Sequence, residues 1–208
     1  MRIYIGNSGW KFGYLAAQYP GRLGWIMTPH DMRYPDKRIP YVFDNGVWSD
    51  HINDRKFDER KFWKKLTETV RRQKPEWIVV PDKVSDRDET LRRWDIYAPI
   101  LINAGIPMMM AVQDGMTMRD IPSEAYGVFI GGSTDWKWRN LTMWTKTFKH
   151  VHVGRVNTYR MLSMAYKSGA ESVDGSGWFR GDQNQAEGLE RFLDETTNGK
   201  TNKQQELI

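Results

Sequence analysis

Cysteine is absent from this chain, which excludes disulfides and every zinc site built on thiolates. A reducing cytoplasm is allowed by this. No apolar run approaches the ~20 residues that a membrane-spanning helix needs, and the opening stretch MRIYIGNSGW lacks a secretory pattern. Acid is missing over a long internal segment: from Trp136 to Ala170 there are seven Lys or Arg and no Asp or Glu.

What is present describes one globular unit. At 208 residues and 39% hydrophobic content the chain suits a single domain with a sizeable core. That domain is expected to span 1–196, with the polar stretch 197–208 as a flexible tail. The net charge of +5 and pI of about 9.3 lean toward a polyanionic partner. In the acid-free segment Lys137, Arg139 and Arg155 accompany Trp136, Trp138 and Trp144. Cations for phosphates beside aromatic rings for bases is the pairing that single-stranded nucleic-acid sites use. The plainer alternative is a solvated helix face with its tryptophans in the core.

Periodicity places short apolar strands at 2–5, 25–28, 41–43, 77–80, 108–112, 128–130 and 151–153, and an eighth ending at Asp174. Helices are expected at 58–73, 88–103, 141–148, around 161–168 and at 184–196, with Ser168-Gly169 as a helix stop. Strands alternating with helices imply parallel βα units. Eight strands would close an α/β fold of the compact (β/α)8, TIM-like kind. The N-terminal half is irregular, since 9–24 and 29–40 read as loops. An open flavodoxin-like sheet is the rival arrangement.

In such a barrel, functional residues collect at the C-terminal strand ends. Those ends carry Asp44, Asp82, Gln113, Gly131-Gly132, Arg155 and Asp174. A single Asp after a strand is ordinarily a turn former or helix cap. Polar or glycine chemistry after six strands is a stronger signal. Crowded carboxylates push their pKa values apart, which separates a proton donor from a nucleophile. Glycines at 175 and 177 beside Asp174 suggest clearance for a sugar and its backbone. His150 and His152 share a strand face, with His30 and His51 distant in sequence, and are expected to be structural.

These residues resemble a family. The succession Asp44-Asn45-Gly46, VVPD (79–82), AVQDG (111–115), FIGGS (129–133), HVGRV (152–156) and GAESVDGSGW (169–178) is similar to the tRNA-guanine transglycosylases. It is more similar to their DNA-acting relatives, which insert 7-deazaguanines into phage and bacterial DNA. The resemblance implies that Asp174 is the nucleophile attacking C1′ of the target nucleotide and that Asp44 transfers protons and contacts the base. It further implies that Asp82 and Gln113 hydrogen-bond the guanine edge and that the Gly131-Gly132 backbone lines the base pocket. Lys137, Trp138, Arg139 and Arg155 are the expected nucleic-acid contacts, and Trp48, Trp138 or Trp178 would hold the flipped base.

The departures matter too. The family's cysteine-rich zinc site is missing, so its zinc subdomain is expected to be absent, and no metal or cofactor is implied. The first motif is shortened, and Trp136 to Arg139 read as an added basic-aromatic loop. The expected partners are DNA, or alternatively tRNA, and a 7-deazaguanine base; a membrane is not expected, and a homodimer stays open. The expected compartment is the cytoplasm, that of the host for a phage-encoded chain. A DNA glycosylase that lets water finish the reaction, a binding module without catalysis and a sugar-phosphate enzyme are the competing readings.

Overall fold

A computed structural model describes residues 1–6, 9–180 and 183–205, with the backbone alone from 198 onward. Asn7 and Ser8 of the expected first turn, and residues 206–208 of the expected tail, lie outside these. The strands are β1 (Arg2–Ile5), β2 (Leu23–Met27), β3 (Tyr41–Phe43), β4 (Ile78–Val79), β5 (Met108–Val112), β6 (Gly127–Ile130), β7 (Val151–Val153) and β8 (Ser172–Asp174). The helices are α1 (Trp10–Gln18), α2 (Val47–Ile52), α3 (Glu59–Val70), α4 (Arg87–Asn103), α5 (Thr134–Thr147), α6 (Tyr159–Ser168) and α7 (Gln183–Gln205).

All eight strands are parallel and close in chain order, with β1 paired to both β2 and β8. The ring is a (β/α)8 barrel, and its closure rules out the open flavodoxin-like sheet. No helix among the described residues is long and apolar enough to cross a membrane.

The strands are buried on both sides, which explains their unbroken apolar character. Alternation along each strand sorts the side chains into two layers. Ile3, Ile5, Tyr41, Phe43, Met108, Met110, Val112 and Val173 face the helices in the outer core. Tyr4, Ile26, Val42, Val79, Met109, Ala111 and Phe129 fill the barrel interior. At the N-terminal end of the barrel the interior is plugged by a polar knot. There Arg2 Nη1 lies 2.5 Å from Glu76 Oε1, and the Tyr4 hydroxyl donates to the same carboxylate.

Local sequence accounts for several helix ends. Asp58, Asp86 and Thr158 cap α3, α4 and α6 by accepting the backbone N–H groups of Lys61, Glu89 and Met161. Gly169 ends α6 in the left-handed region at φ 92°. Three expectations need correction. Residues 10–18, read as loop, form α1. α5 begins at Thr134, so Trp136 to Arg139 belong to a helix rather than to an added loop. α7 continues through Gln205, beyond the expected helix end at 196.

Candidate active site

The alternation that fills the barrel also aims the site. Val42, Ala111 and Phe129 point inward, and Asp44, Gln113 and Gly131 lie two residues further along the same chains. Asp174 ends β8 in register with the inward Tyr4. All four line one cavity of about 580 Å³ at the C-terminal mouth of the barrel, together with Asp82 and Gly132. Ligand pockets run to roughly 300–1,000 Å³. Ile26, Val79, Ala111 and Phe129 form its apolar floor.

Asp82 and Gln113 are already joined. Gln113 Nε2 donates to Asp82 Oδ2 at 2.6 Å, and Asn45 Nδ2 donates to Asp82 Oδ1 at 2.7 Å. Gln113 Oε1 accepts from Ser85 N at 3.0 Å and Gly132 N at 3.1 Å. Burial pushes the Asp82 carboxyl up to about 6, against the pull of Asn45, Arg93 and Gln113. Each Asp82 oxygen keeps a lone pair for a ligand, and Gln113 keeps its second amide hydrogen. The pair is therefore a rigid polar wall, fixed before any ligand arrives.

Asp44 follows the neighbouring strand β3, beside this wall, its Oδ1 accepting from Gly46 N at 2.9 Å. Burial raises its carboxyl to about 7, and the nearby charges of Asp174 and Asp82 add to the rise. Asp44 thus exists in both protonation states near neutral pH, which suits a group that gives and takes a proton. Its left-handed neighbour Gly46, at φ 79°, leads into α2. That short helix carries Trp48 to the rim.

Asp174 is held by groups from β7 and its loop. Its Oδ1 lies 3.0 Å from His152 Nε2, while Oδ2 lies 3.4 Å from Arg155 N. Arg155 adopts φ 61°, an uncommon conformation for a side-chain-bearing residue. The turn directs its guanidinium back across the mouth, over the Trp48 ring at 4.0 Å and onto the Gly132 carbonyl. Asn157, Ser176 and Arg180 complete this side of the rim.

Several sequence expectations change. Lys137 is not a surface phosphate contact: it is 2% exposed, and its Nζ donates to Gly154 O at 2.5 Å. Burial, with Arg155 adding to it, lowers its ammonium to about 7. Trp138 is half-buried on α5 against the core, and it does not line the cavity. Arg139 is exposed on α5, 3.7 Å from Asp135. Trp178 is fully buried, so of the three tryptophans suggested for the base only Trp48 lines the cavity. The glycines after Asp174 make room for the chain itself. A Cβ on Gly175 would stand 2.2 Å from Val156 O, and one on Gly177 would stand 2.9 Å from Gln185 Oε1.

His152 was the residue that sequence reading undervalued. It is fully buried in the barrel, stacked on Phe129 at 4.8 Å, and its Nδ1 lies 2.8 Å from Ser172 Oγ. Strand parity could have found it, because β7 residue 152 and β8 residues 172 and 174 all face inward. His150 is separate, beside Glu171 at 2.9 Å and stacked on Tyr126. From the β2–β3 loop His30 and Asp31 also line the cavity, and burial holds the His30 imidazole below its ordinary pKa. Among the described residues no three His, Asp or Glu side chains come together as a metal site.

No protein-family model matches the sequence, and no curated protein matches it. Among solved structures the chain is similar to the BexX/CysO complex of Amycolatopsis orientalis, with a TM-score of 0.56 and 13% identity. The match covers 95% of this chain and 91% of that one. At that identity the likeness defines the class of fold, an eight-stranded α/β barrel, and nothing of the chemistry.

Proposed function

We propose that this protein is a DNA base-exchange transglycosylase, replacing guanine by a 7-deazaguanine through a covalent aspartyl-deoxyribose intermediate. The observation that carries the reading is the convergence of Asp174, Asp44, Asp82, Gln113 and Gly131-Gly132 on one cavity. Those are the positions for which the motif resemblance implies these roles, drawn from five separate strand ends.

In the first step the Asp174 carboxylate attacks C1′ and the glycosidic C–N bond breaks. Its electron pair leaves with guanine, whose nitrogen takes a proton from Asp44. Oxocarbenium character at C1′ favours a carboxylate beneath the sugar. In the second step the incoming base gives its own nitrogen proton to Asp44, attacks C1′ and releases Asp174. A group with a pKa of about 7 can serve as acid and then as base. The Asp82–Gln113 wall supplies an acceptor and a donor for the base edge. The target base must leave its stack to enter, at a cost of a few kcal/mol that is least for a single strand.

A guanine-containing single-stranded DNA oligonucleotide, mixed with the protein and analysed by denaturing mass spectrometry, tests this. A covalent adduct is expected, and it should disappear in Asp174→Asn. An adduct that survives that substitution would remove Asp174 from its role. Labelled guanine entering the DNA separates exchange from hydrolysis, which leaves abasic sites without incorporation. Running the same assay with tRNA separates the two polymers.

A further inference from the structure

Two ring nitrogens of one buried imidazole span the distance between a serine and the candidate nucleophile. His152 Nδ1 lies 2.8 Å from Ser172 Oγ and Nε2 lies 3.0 Å from Asp174 Oδ1. The ring has no solvent exposure. Phe129 stacks on it at 4.8 Å, Trp77 meets it edge-on at 4.8 Å, and Tyr4 lies 6.0 Å away. No apolar neighbour needs a polar ring there, and a buried imidazole with both nitrogens engaged is costly unless its partners are fixed.

A serine, a histidine and an aspartate joined in a line suggest the triad of serine hydrolases. The order is wrong for that. Ser172 is 2% exposed and does not line the cavity, whereas Asp174 does. The group at the reacting end is the carboxylate, and the serine is the buried anchor.

We propose that His152, in the ring tautomer that Ser172 selects, is a positioning residue that fixes which oxygen of Asp174 attacks, an inference that rests on the base-exchange reading. An ionised carboxylate offers only acceptors, so Nε2 carries the ring hydrogen and Nδ1 accepts from the Ser172 hydroxyl. Oδ1 is thereby pinned to the imidazole. Oδ2, whose one hydrogen bond among the described residues is the long 3.4 Å contact from Arg155 N, is the oxygen that forms the bond to C1′. When the ester forms at Oδ2, Oδ1 becomes its carbonyl oxygen and keeps the same hydrogen bond. The contact therefore survives the whole cycle without a proton moving.

The test has two arms. The chain holds four histidines, so long-range proton–nitrogen NMR of the labelled protein can assign His152 by its loss in His152→Gln. The expected result is an Nε2–H tautomer whose shifts move in Asp174→Asn, with the other tautomer gaining population in Ser172→Ala. An Nδ1–H tautomer, or shifts indifferent to Asp174→Asn, would overturn the proposal. The second arm is the rate of adduct formation. His152→Gln keeps an amide donor and should retain the rate within about 10-fold, while His152→Leu should lower it about 100-fold with oligonucleotide affinity unchanged. Equal rates for the two folded variants would also overturn it. If wild type forms no adduct, the base-exchange reading fails, and the NMR arm still decides whether His152 holds Asp174.

Discussion

The Lys137 ammonium and the Gly154 carbonyl oxygen stand 2.5 Å apart beneath the turn that carries Arg155. A buried amino group thus braces the backbone that shapes the rim from below. Burial lowers the Lys137 pKa to about 7, whereas an unfolded lysine titrates near ~10.4. Between those values the unfolded chain holds a proton that the folded chain does not. Stability from this group therefore rises with pH across that window.

Lys137→Met should flatten that rise. Urea unfolding at pH 7 and pH 9 is expected to show wild type gaining more than the variant, by a few kcal/mol at most. Identical gains in both proteins would mean that the lysine is charged and paired in the fold.

Asp44 runs the other way. Its folded pKa of about 7 lies above the ordinary carboxylate value, so the folded chain binds the extra proton between ~4 and 7 and loses stability as pH rises through that range. Asp44→Asn keeps the acceptor for Gly46 N and removes the buried charge. At pH 8 the variant should melt several degrees higher than wild type, on the order of 1–3 kcal/mol more stable. At pH 4 the difference should vanish. Base exchange should fall by at least 100-fold in the same variant, and the wild-type ionisation near neutral pH should leave the rate profile.

Gln113 serves three partners at once, so its loss should be felt in the fold. Gln113→Leu leaves Asp82 Oδ2, Ser85 N and Gly132 N without their partner, and a cost of about 2–4 kcal/mol is expected in denaturant unfolding. Gln113→Glu sets an acceptor against Asp82 and should raise the pKa of the pair rather than empty the site. A carbon-NMR titration of the labelled carboxylates reads that rise. A variant as stable as wild type would show that the wall is held by other groups.

Trp48 offers a test of the rim alone. It is 39% exposed and lies under the Arg155 guanidinium, a contact worth about 0.5–2 kcal/mol. Trp48→Ala should weaken single-strand binding about 10-fold in fluorescence anisotropy. Its melting temperature should stay within a degree or two of wild type, and Trp48→Phe should restore most of the affinity.

The strands were legible because burial on both sides leaves an apolar run with little else to be. Met108–Val112 is the clearest case, and its inward parity extends directly to Gln113. Asp44 is legible for the same reason, closing the apolar run Tyr41–Phe43, whereas Asp174 is marked by the glycines that follow it. The misses have physical causes. In α1 only Phe12 and Leu15 are buried, Gly13 interrupts the middle, and no side chain caps the start. In α5 a lysine occupies a buried position, so the apolar period is broken where the helix is most enclosed. His152 is buried, as expected of a structural histidine, and strand pairing is what sets it beside Asp174, a neighbour that its distance in sequence hides. Arg155 is expected at the mouth from its place after β7, and the backbone turn at φ 61° adds how its side chain bends across that mouth.

The knot of Arg2, Tyr4 and Glu76 has a kinetic meaning for the proposed exchange. With the interior core of Tyr4, Val42, Val79 and Met109 it closes the lower end of the barrel, so a polynucleotide bound as proposed would stand in the same mouth that the bases use. Two bases then cannot trade places by passing through opposite ends. Under the proposed exchange guanine would back out before its replacement enters, with the sugar ester on Asp174 as the state that waits between them. Order is imposed by the plumbing, and initial-rate plots against the two substrates should form parallel lines.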